Sequence, residues 1–313
     1  MKSDLRKITA ILALLLAPAL VFAGEIKVLS FNMGARNRTA VQVAEMIRES
    51  GADIVFLQEV HITAPKDTAL QKMREHLGPG EWDFISSSPY ILRSTEIIGN
   101  EVYKAGGSGQ NNAVLYNKDR LTVRNLAESI GFTHFGKVES GFLFDKNNVM
   151  LIEISPSDAD ARSCIAINVH LPYNDTAHRK RDLETLERLY ARYKLRHAVI
   201  IAGDFNYSRK QLTRRNFDFV DGSEGHFYDP NFGIPTTLST KGETQIIFAS
   251  DYDHFIFNKK IAVREQMHRA GTDSAAKVCD RILFGSAAYT SSVDFRKDIS
   301  DHVPIMMSVE IIE

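Results

Sequence analysis

Cysteine is scarce: Cys164 and Cys279 are the only two in 313 residues, so at most one internal disulfide can form. The two could pair in an exported chain, where disulfides are permitted. Alternatively Cys164, inside an apolar strand pattern, is a small buried hydrophobe; the sequence leaves both open. Proline- or glycine-rich linkers, internal repeats and low-complexity runs are missing, which argues against several loosely joined modules. Charge of one sign is not in excess either, since 38 Lys and Arg oppose 39 Asp and Glu for a formal net charge of −1. A general polyanion-binding surface is therefore not advertised. No apolar run reaches the ~20 residues of a membrane-spanning helix, and no long aromatic hairpin of the sort that enters a lipid surface is evident.

The apolar stretch Ile8 to Phe22 lies near the start and is interrupted by Thr9 and Pro18. It follows Lys2, Arg6 and Lys7 and ends in Val21-Phe22-Ala23, the layout of an export signal cut ahead of Gly24. The expectation is a signal peptide over residues 1–23 and one domain over 24–313, long enough to bury a substantial core, located in the periplasm or secreted. Cleavage would remove three basic and one acidic residue, taking the formal charge to −3 and leaving no membrane span.

Inside that domain, buried strands with polar ends recur. Val199 to Ala202 is an unbroken apolar run, and Gly203 lets the backbone turn so that Asp204 and Asn206 emerge together. A carboxylate and a carboxamide delivered to such a place need partners, because unpaired polar groups there lose their hydration. Glu25 to Phe31 reads as the first strand. Thr39 with Gln42 resembles a capping box for a helix that stops at Gly51, and Asp53 to Leu57 reads as a second strand ending in Gln58-Glu59. This α/β unit puts Asn32 and Glu59 at strand ends, where ligands bind in α/β sheets.

Further strands are read at Trp82 to Ile85, Asn112 to Tyr116, Leu121 to Leu126, Val149 to Ile154, Cys164 to His170, His254 to Phe257 and Val303 to Val309. A helix is expected around Ala69 to Leu77. A longer one, Thr176 to Arg196, carries Leu183, Leu186, Leu189, Tyr190 and Tyr193 on its apolar stripe and turns Arg179, Lys180, Arg181, Glu184, Glu187 and Arg188 toward water. The glycines at 99, 106, 107 and 109 mark a loop, and residues 259–298 show no readable pattern.

The polar residues at these strand ends form a chemical set. Glu59, Asn32 and Asp301 offer the oxygen ligands that a hard divalent cation takes. Asp204 is suited to activate or orient a water, and His170, Asn206 and Asn32 offer donors to the charge that develops on a phosphoryl group. His302 becomes a fixed, positively biased group if Asp253 holds its other nitrogen. Arg36 and Arg38, and the run Arg209, Lys210, Arg214 and Arg215, place cations next to these ends, where they could grip phosphates or simply be solvated.

Ser30-Phe-Asn32, Gln58-Glu59, His170-Leu-Pro172, Gly203-Asp-Phe-Asn206, Tyr252-Asp253 and Ser300-Asp-His302 follow one another in the order seen in the endonuclease/exonuclease/phosphatase superfamily. The chain resembles that superfamily, and deoxyribonucleases within it, over nearly all of residues 24–313. The resemblance implies an α/β fold, a four-layer α/β/β/α sandwich of two mixed sheets with helices outside. It also implies a Mg²⁺- or Mn²⁺-dependent, single-step attack of water on a phosphodiester or phosphomonoester. Nucleic acid is the expected substrate and a monomer the expected state. Residue by residue, Glu59, Asn32 and Asp301 resemble the metal side. Asp204 resembles the water-activating aspartate and Asn206 the phosphate-contacting asparagine. His170 resembles the histidine near the leaving oxygen, and His302 the one paired with an aspartate. For that aspartate Asp253 is preferred and Asp280 is the competitor.

Two departures stand out. Asn112 lies where the deoxyribonucleases carry a glutamate beside the first histidine, and His61 lies where they carry a minor-groove arginine. The functional expectation is an exported nuclease. A secreted sphingomyelinase or inositol or lipid phosphate hydrolase is the alternative, and a catalytically idle binding module is the third reading.

Overall fold

The computed structural model describes residues 25–34, 40–61, 69–86, 110–126, 131–132, 142–144, 149–157, 162–213, 225–228, 236–241, 249–265, 296 and 300–312. The expected signal peptide lies outside the described residues. So do Arg36, Arg38, Thr39, Arg214, Arg215, Cys279, Asp280, the His61 side chain and the glycines of the 99–109 segment.

Two six-stranded mixed sheets make the frame. In the first sheet, β1 (Glu25–Asn32) and β2 (Ile54–His61) form a parallel pair. β14 (Ile305–Ile311) and β13 (Ile261–Glu265) flank β1, while β4 (Gln110–Asn117) and β3 (Trp82–Ser86) flank β2. In the second sheet, β9 (Cys164–His170) and β10 (Ala198–Asp204) are the parallel pair. Beside them run β8 (Val149–Pro156) and β5 (Leu121–Asn125) on one side, and β12 (Asp253–Asn258) and β11 (Gly225–Tyr228) on the other. A short parallel pair, β6 (Gly131–Phe132) with β7 (Leu143–Phe144), stands apart. The helices are α1 (Ala40–Ser50), α2 (Ala69–Leu77), α3 (Thr176–Lys194) and the short α4 (Arg209–Thr213).

The apolar pattern explains the layering. Along β1 and β2, Leu29, Phe31, Val55 and Leu57 pack outward on α1 and α2, while Ile26, Val28, Ile54 and Phe56 point inward to the other sheet. β10 repeats this, with Val199 and Ile201 against Leu183, Leu186 and Leu189 of α3 and Ala198, Ile200 and Ala202 facing the first sheet. Strands covered on both faces are apolar at every position, which is why these runs show no alternation. The result is the four-layer sandwich of helices, sheet, sheet and helix. Across its middle, β1 meets β10 and β2 meets β9, so the carboxyl ends of both parallel pairs gather at one mouth.

Cys164 belongs to the middle layer as a free thiol packed among apolar side chains, so it acts there as the small hydrophobe. Gly203 is demanded by its place: a Cβ would lie 2.0 Å from the carbonyl oxygen of Val169, and its φ is +139°.

Candidate functional site

Asn32, Glu59, His170 and Asp204 meet at that mouth. The buried Asn32 donates its NH₂ group both to Glu59 Oε1 at 3.2 Å and to Asp204 Oδ2 at 3.0 Å. Its own Oδ1 accepts from the Gly34 backbone N–H at 2.9 Å, which sets the amide's direction. Both donors of this carboxamide are thus spent on the two carboxylates.

Glu59 arrives by a distortion that its sequence pattern does not announce. β2 does not end at Leu57; it runs to His61. The ladder to β4 pairs Leu57 with Ala113 and next Val60 with Asn111, so Gln58 and Glu59 together oppose Asn112. That is a β-bulge, which re-aims a side chain. Glu59 sits at φ 53°, a left-handed conformation costing a residue with a Cβ about 1–3 kcal/mol.

The interrupted ladder is filled from the opposite sheet. Asn168 of β9 sends its Nδ2 to the carbonyls of Leu57 (3.0 Å) and Ala113 (2.9 Å), the last cross-strand pair before the bulge. Its Oδ1 accepts from Gln58 Nε2 at 2.8 Å, and its carbonyl accepts from Asn112 Nδ2 at 3.2 Å. Gln58 Nε2 also reaches Ser30 Oγ at 3.2 Å. Between two otherwise apolar faces these buried amides form a clamp, and it stands two residues before His170. Asn112 therefore spends one of its N–H donors on the backbone of Asn168.

His170 Nε2 lies 3.5 Å from Glu59 Oε1 and 3.7 Å from Asp204 Oδ2. Asp204 is 1% exposed. Its Oδ1 accepts from the backbone N–H of Asn206 at 2.8 Å. Burial pushes its acid up to about 6, with the charge of Asp253 adding to the rise and His302 and His170 opposing it. Asn206 occupies φ 50°, and its Nδ2 donates to the Leu171 carbonyl at 2.7 Å and to Asp204 Oδ2 at 3.3 Å.

His302 closes the group, its Nε2 3.6 Å from Asp204 Oδ2 and its Nδ1 2.7 Å from Asp253 Oδ2. Thr236 Oγ1 donates to that same Asp253 oxygen at 2.6 Å and accepts from the Asp253 backbone N–H at 3.0 Å. Burial alone would lower the His302 imidazolium, but the charges of Asp253, Asp204 and Asp301 and the Asp253 hydrogen bond override it, raising the group to about 10. Ser300 Oγ donates to the Asn32 carbonyl at 2.6 Å and accepts from the His302 N–H at 3.1 Å. The terminal loop is thereby stitched to β1.

Asp301 is half-exposed and 3.4 Å from Arg296 Nη2. Arg209 is exposed and opens α4 three residues after Asn206, with its backbone N–H on Asp251 Oδ2 at 3.1 Å. Arg179 does not turn to water as the helical pattern indicated. Its Nη1 donates to the carbonyls of Asn206 (2.8 Å) and Tyr173 (3.1 Å), and its guanidinium lies 4.4 Å from the centre of the Tyr207 ring. A cation over an aromatic face with two carbonyls to bind is better placed there than in solvent. The roles of Asn168, Ser300, Thr236 and Arg179 escape a motif reading. The one signal for Asn168 was an amide inside an apolar strand, on the same face as His170.

Among the described residues no group of three His, Cys, Asp or Glu side chains gathers at metal-ligand spacing. A hard cation of the Mg²⁺ kind is held through one or two carboxylates and several waters, and the charge balance here fits that. Burial raises Glu59 above the ordinary carboxylate range, opposed by the Asn32 hydrogen bond and His302 but reinforced by Asp301 and Asp253. A cation beside Glu59 would relieve that repulsion.

The sequence matches the Endonuclease/Exonuclease/phosphatase family over residues 29–302. Among solved structures, an endonuclease/exonuclease/phosphatase family protein from Bacteroides thetaiotaomicron is similar at 15% identity and TM-score 0.55, over 91% of this chain and 97% of that one. TDP2 from C. elegans is similar at 16% identity and TM-score 0.54, over 96% and 80% of the respective chains. The endonuclease domain of TRAS1, a telomere-specific non-LTR retrotransposon, aligns at 13% identity and TM-score 0.53, over 92% and 100%. A search of the curated proteins found no match.

Proposed function

The chain belongs to the endonuclease/exonuclease/phosphatase family, whose members are hydrolases of phosphoester bonds, and from that premise we propose an exported, divalent-metal-dependent nuclease. One observation carries the reading: His170 Nε2 and His302 Nε2 approach the same oxygen of Asp204, at 3.7 and 3.6 Å, on the side where Glu59 is aimed. Two imidazoles converging on a buried carboxylate bring a base and positive charge to one point, as hydrolysis of a phosphodiester requires.

In this reading Asp204 receives the proton of the attacking water. Its acid is raised to about 6, so at neutral pH it is ionised yet more basic than an ordinary aspartate. The hydrogen bonds from Asn32 and the Asn206 backbone aim its oxygens. His302, held cationic by Asp253, faces the charge that develops on the phosphoryl oxygens. His170 lies between Glu59 and Asp204, where its Nε2 is suited to meet the leaving oxygen. Glu59 with Asn32 and Asp301 would hold the divalent ion, Mg²⁺ or Mn²⁺, which when bound supplies Lewis-acid stabilisation of the phosphate. Since Asn206 already spends its amide on Leu171 and Asp204, its part is to position Asp204, and contact with phosphate requires exchanging the longer bond.

Nucleic acid as substrate draws support from the similar structures, which include D. rerio TDP2 with a single strand DNA product. It is consistent with Arg209 and the run of cations after Asn206, which would bind successive phosphates in a salt-dependent way. Purified protein with Mg²⁺, assayed on plasmid DNA, sphingomyelin and inositol phosphates, tests the proposal. Cleavage of DNA alone is expected; turnover of either small ester with intact DNA overturns it.

A further inference from the structure

Tyr173 is the single aromatic among the exposed large hydrophobic residues described, at 63% exposure. A lone exposed tyrosine needs no explanation, but this one is neither lone nor loosely held. It lies three residues beyond His170, and its carbonyl is bound by Arg179 Nη1 at 3.1 Å, the same nitrogen that holds the carbonyl of Asn206 at 2.8 Å. The segment after β9 is thereby tied to the segment after β10. Beside it stands Tyr252, whose ring centre is 6.5 Å away with the planes tilted by 56°. Tyr252 directly precedes Asp253, its carbonyl accepts from the Phe205 N–H at 2.9 Å, and its own N–H donates to Thr236 Oγ1 at 3.1 Å. Thr236 is the residue that braces Asp253 against His302.

Two rings thus stand in tilted contact on the backbone of the segments that carry His170, Asp204, Asn206 and Asp253. Tyr173 is 63% exposed, so a planar group laid on its open ring face gains stacking that the free protein lacks, with Tyr252 holding that ring from the side. Rings on a fixed backbone lose little conformational freedom on binding.

Resting on the nucleic-acid reading, we infer that Tyr173 and Tyr252 form a stacking subsite for the nucleobase next to the scissile phosphate. Base-on-aromatic stacking is worth about 1–3 kcal/mol and tolerates any base. The subsite therefore favours polynucleotide over simple phosphodiesters without selecting sequence. It is a specificity feature, which touches no reacting atom.

The test uses a single-stranded oligonucleotide whose linkages are methylphosphonates except for one phosphodiester, with either a base or an abasic residue on each side of it. On one side, removing the base should lower kcat/KM of the wild-type protein about tenfold, mostly through KM. Tyr173→Ala should lose a similar factor on the intact oligonucleotide and become insensitive to the abasic change. Tyr173→Phe should keep wild-type behaviour, and all variants should keep the wild-type melting temperature. Equal responses of wild type and Tyr173→Ala to the abasic change overturn the subsite while leaving the nuclease reading in place. A wild-type protein that hydrolyses bis(4-nitrophenyl) phosphate but neither this oligonucleotide nor plasmid DNA overturns both.

Discussion

Asn32 and Asp204 stand 172 positions apart in the sequence, on facing sheets, and share a buried hydrogen bond of 3.0 Å. The same NH₂ group also holds Glu59. One carboxamide therefore spaces the carboxylate proposed for the metal from the one proposed for the water. That spacing depends on the packing register of two whole sheets.

Asp253→Asn keeps the shape of the pair with His302 and removes its charge. His302 is raised to about 10 from an ordinary value of 6.5, so it is cationic through the neutral range. Its stabilising contribution is complete below about 6.5 and is lost as pH rises through about 10. In the variant, the alkaline fall of turnover should move toward neutrality by about a unit or more. A pH–rate profile with an unmoved alkaline limb would contradict the pairing's role.

Asn168→Leu should weaken divalent-ion binding about tenfold or more, because the Leu57 and Ala113 carbonyls beside the Glu59 bulge lose this donor and Gln58 Nε2 loses its shortest bond. Asn258 is the control: it is also buried, and bonds the Lys194 and His197 carbonyls and the Val199 N–H, remote from the mouth. Asn258→Leu should lose stability comparably yet bind Mn²⁺ normally in calorimetry. Equal Mn²⁺ affinity in both variants would deny the clamp its part.

Burial pushes the Cys164 thiol up to about 12, leaving almost no thiolate at pH 8. In a Cys279→Ser background, labelling by a disulfide reagent should proceed only as fast as the protein unfolds. Stoichiometric labelling of native protein within minutes would show that the middle layer is open.

Gly203→Ala should destabilise the protein by roughly 3 kcal/mol or more, since the added carbon meets the Val169 carbonyl and the backbone is one that side chains avoid. A denaturant midpoint equal to that of the wild type would contradict the close approach of β9 and β10.

The layering was readable because strands covered on both faces leave apolar runs such as Val199 to Ala202, and α3 because its stripe recurs at helical spacing. The clustering of His170, Asp204 and His302 followed from motif order. The Glu59 bulge was not readable, since a left-handed residue within an apolar strand leaves no compositional trace. The Asn168 clamp was hidden for a different reason: its partners Leu57 and Ala113 lie 111 and 55 positions away. Arg179 misled because a cation in the first turn of an exposed helix normally faces water; the Tyr207 face and the Asn206 carbonyl exist only in the folded chain.

Asp204→Asn is the most direct test of the proposed chemistry. It retains the bulk of the side chain and removes a buried negative charge whose burial is itself unfavourable, while its NH₂ group meets the donors that now point at Asp204, so the fold should persist with a modest loss of stability. Turnover of a phosphodiester in Mg²⁺ should fall about 10³-fold or more, with circular dichroism unchanged. A folded Asp204→Asn protein that turns over at near the wild-type rate would contradict it.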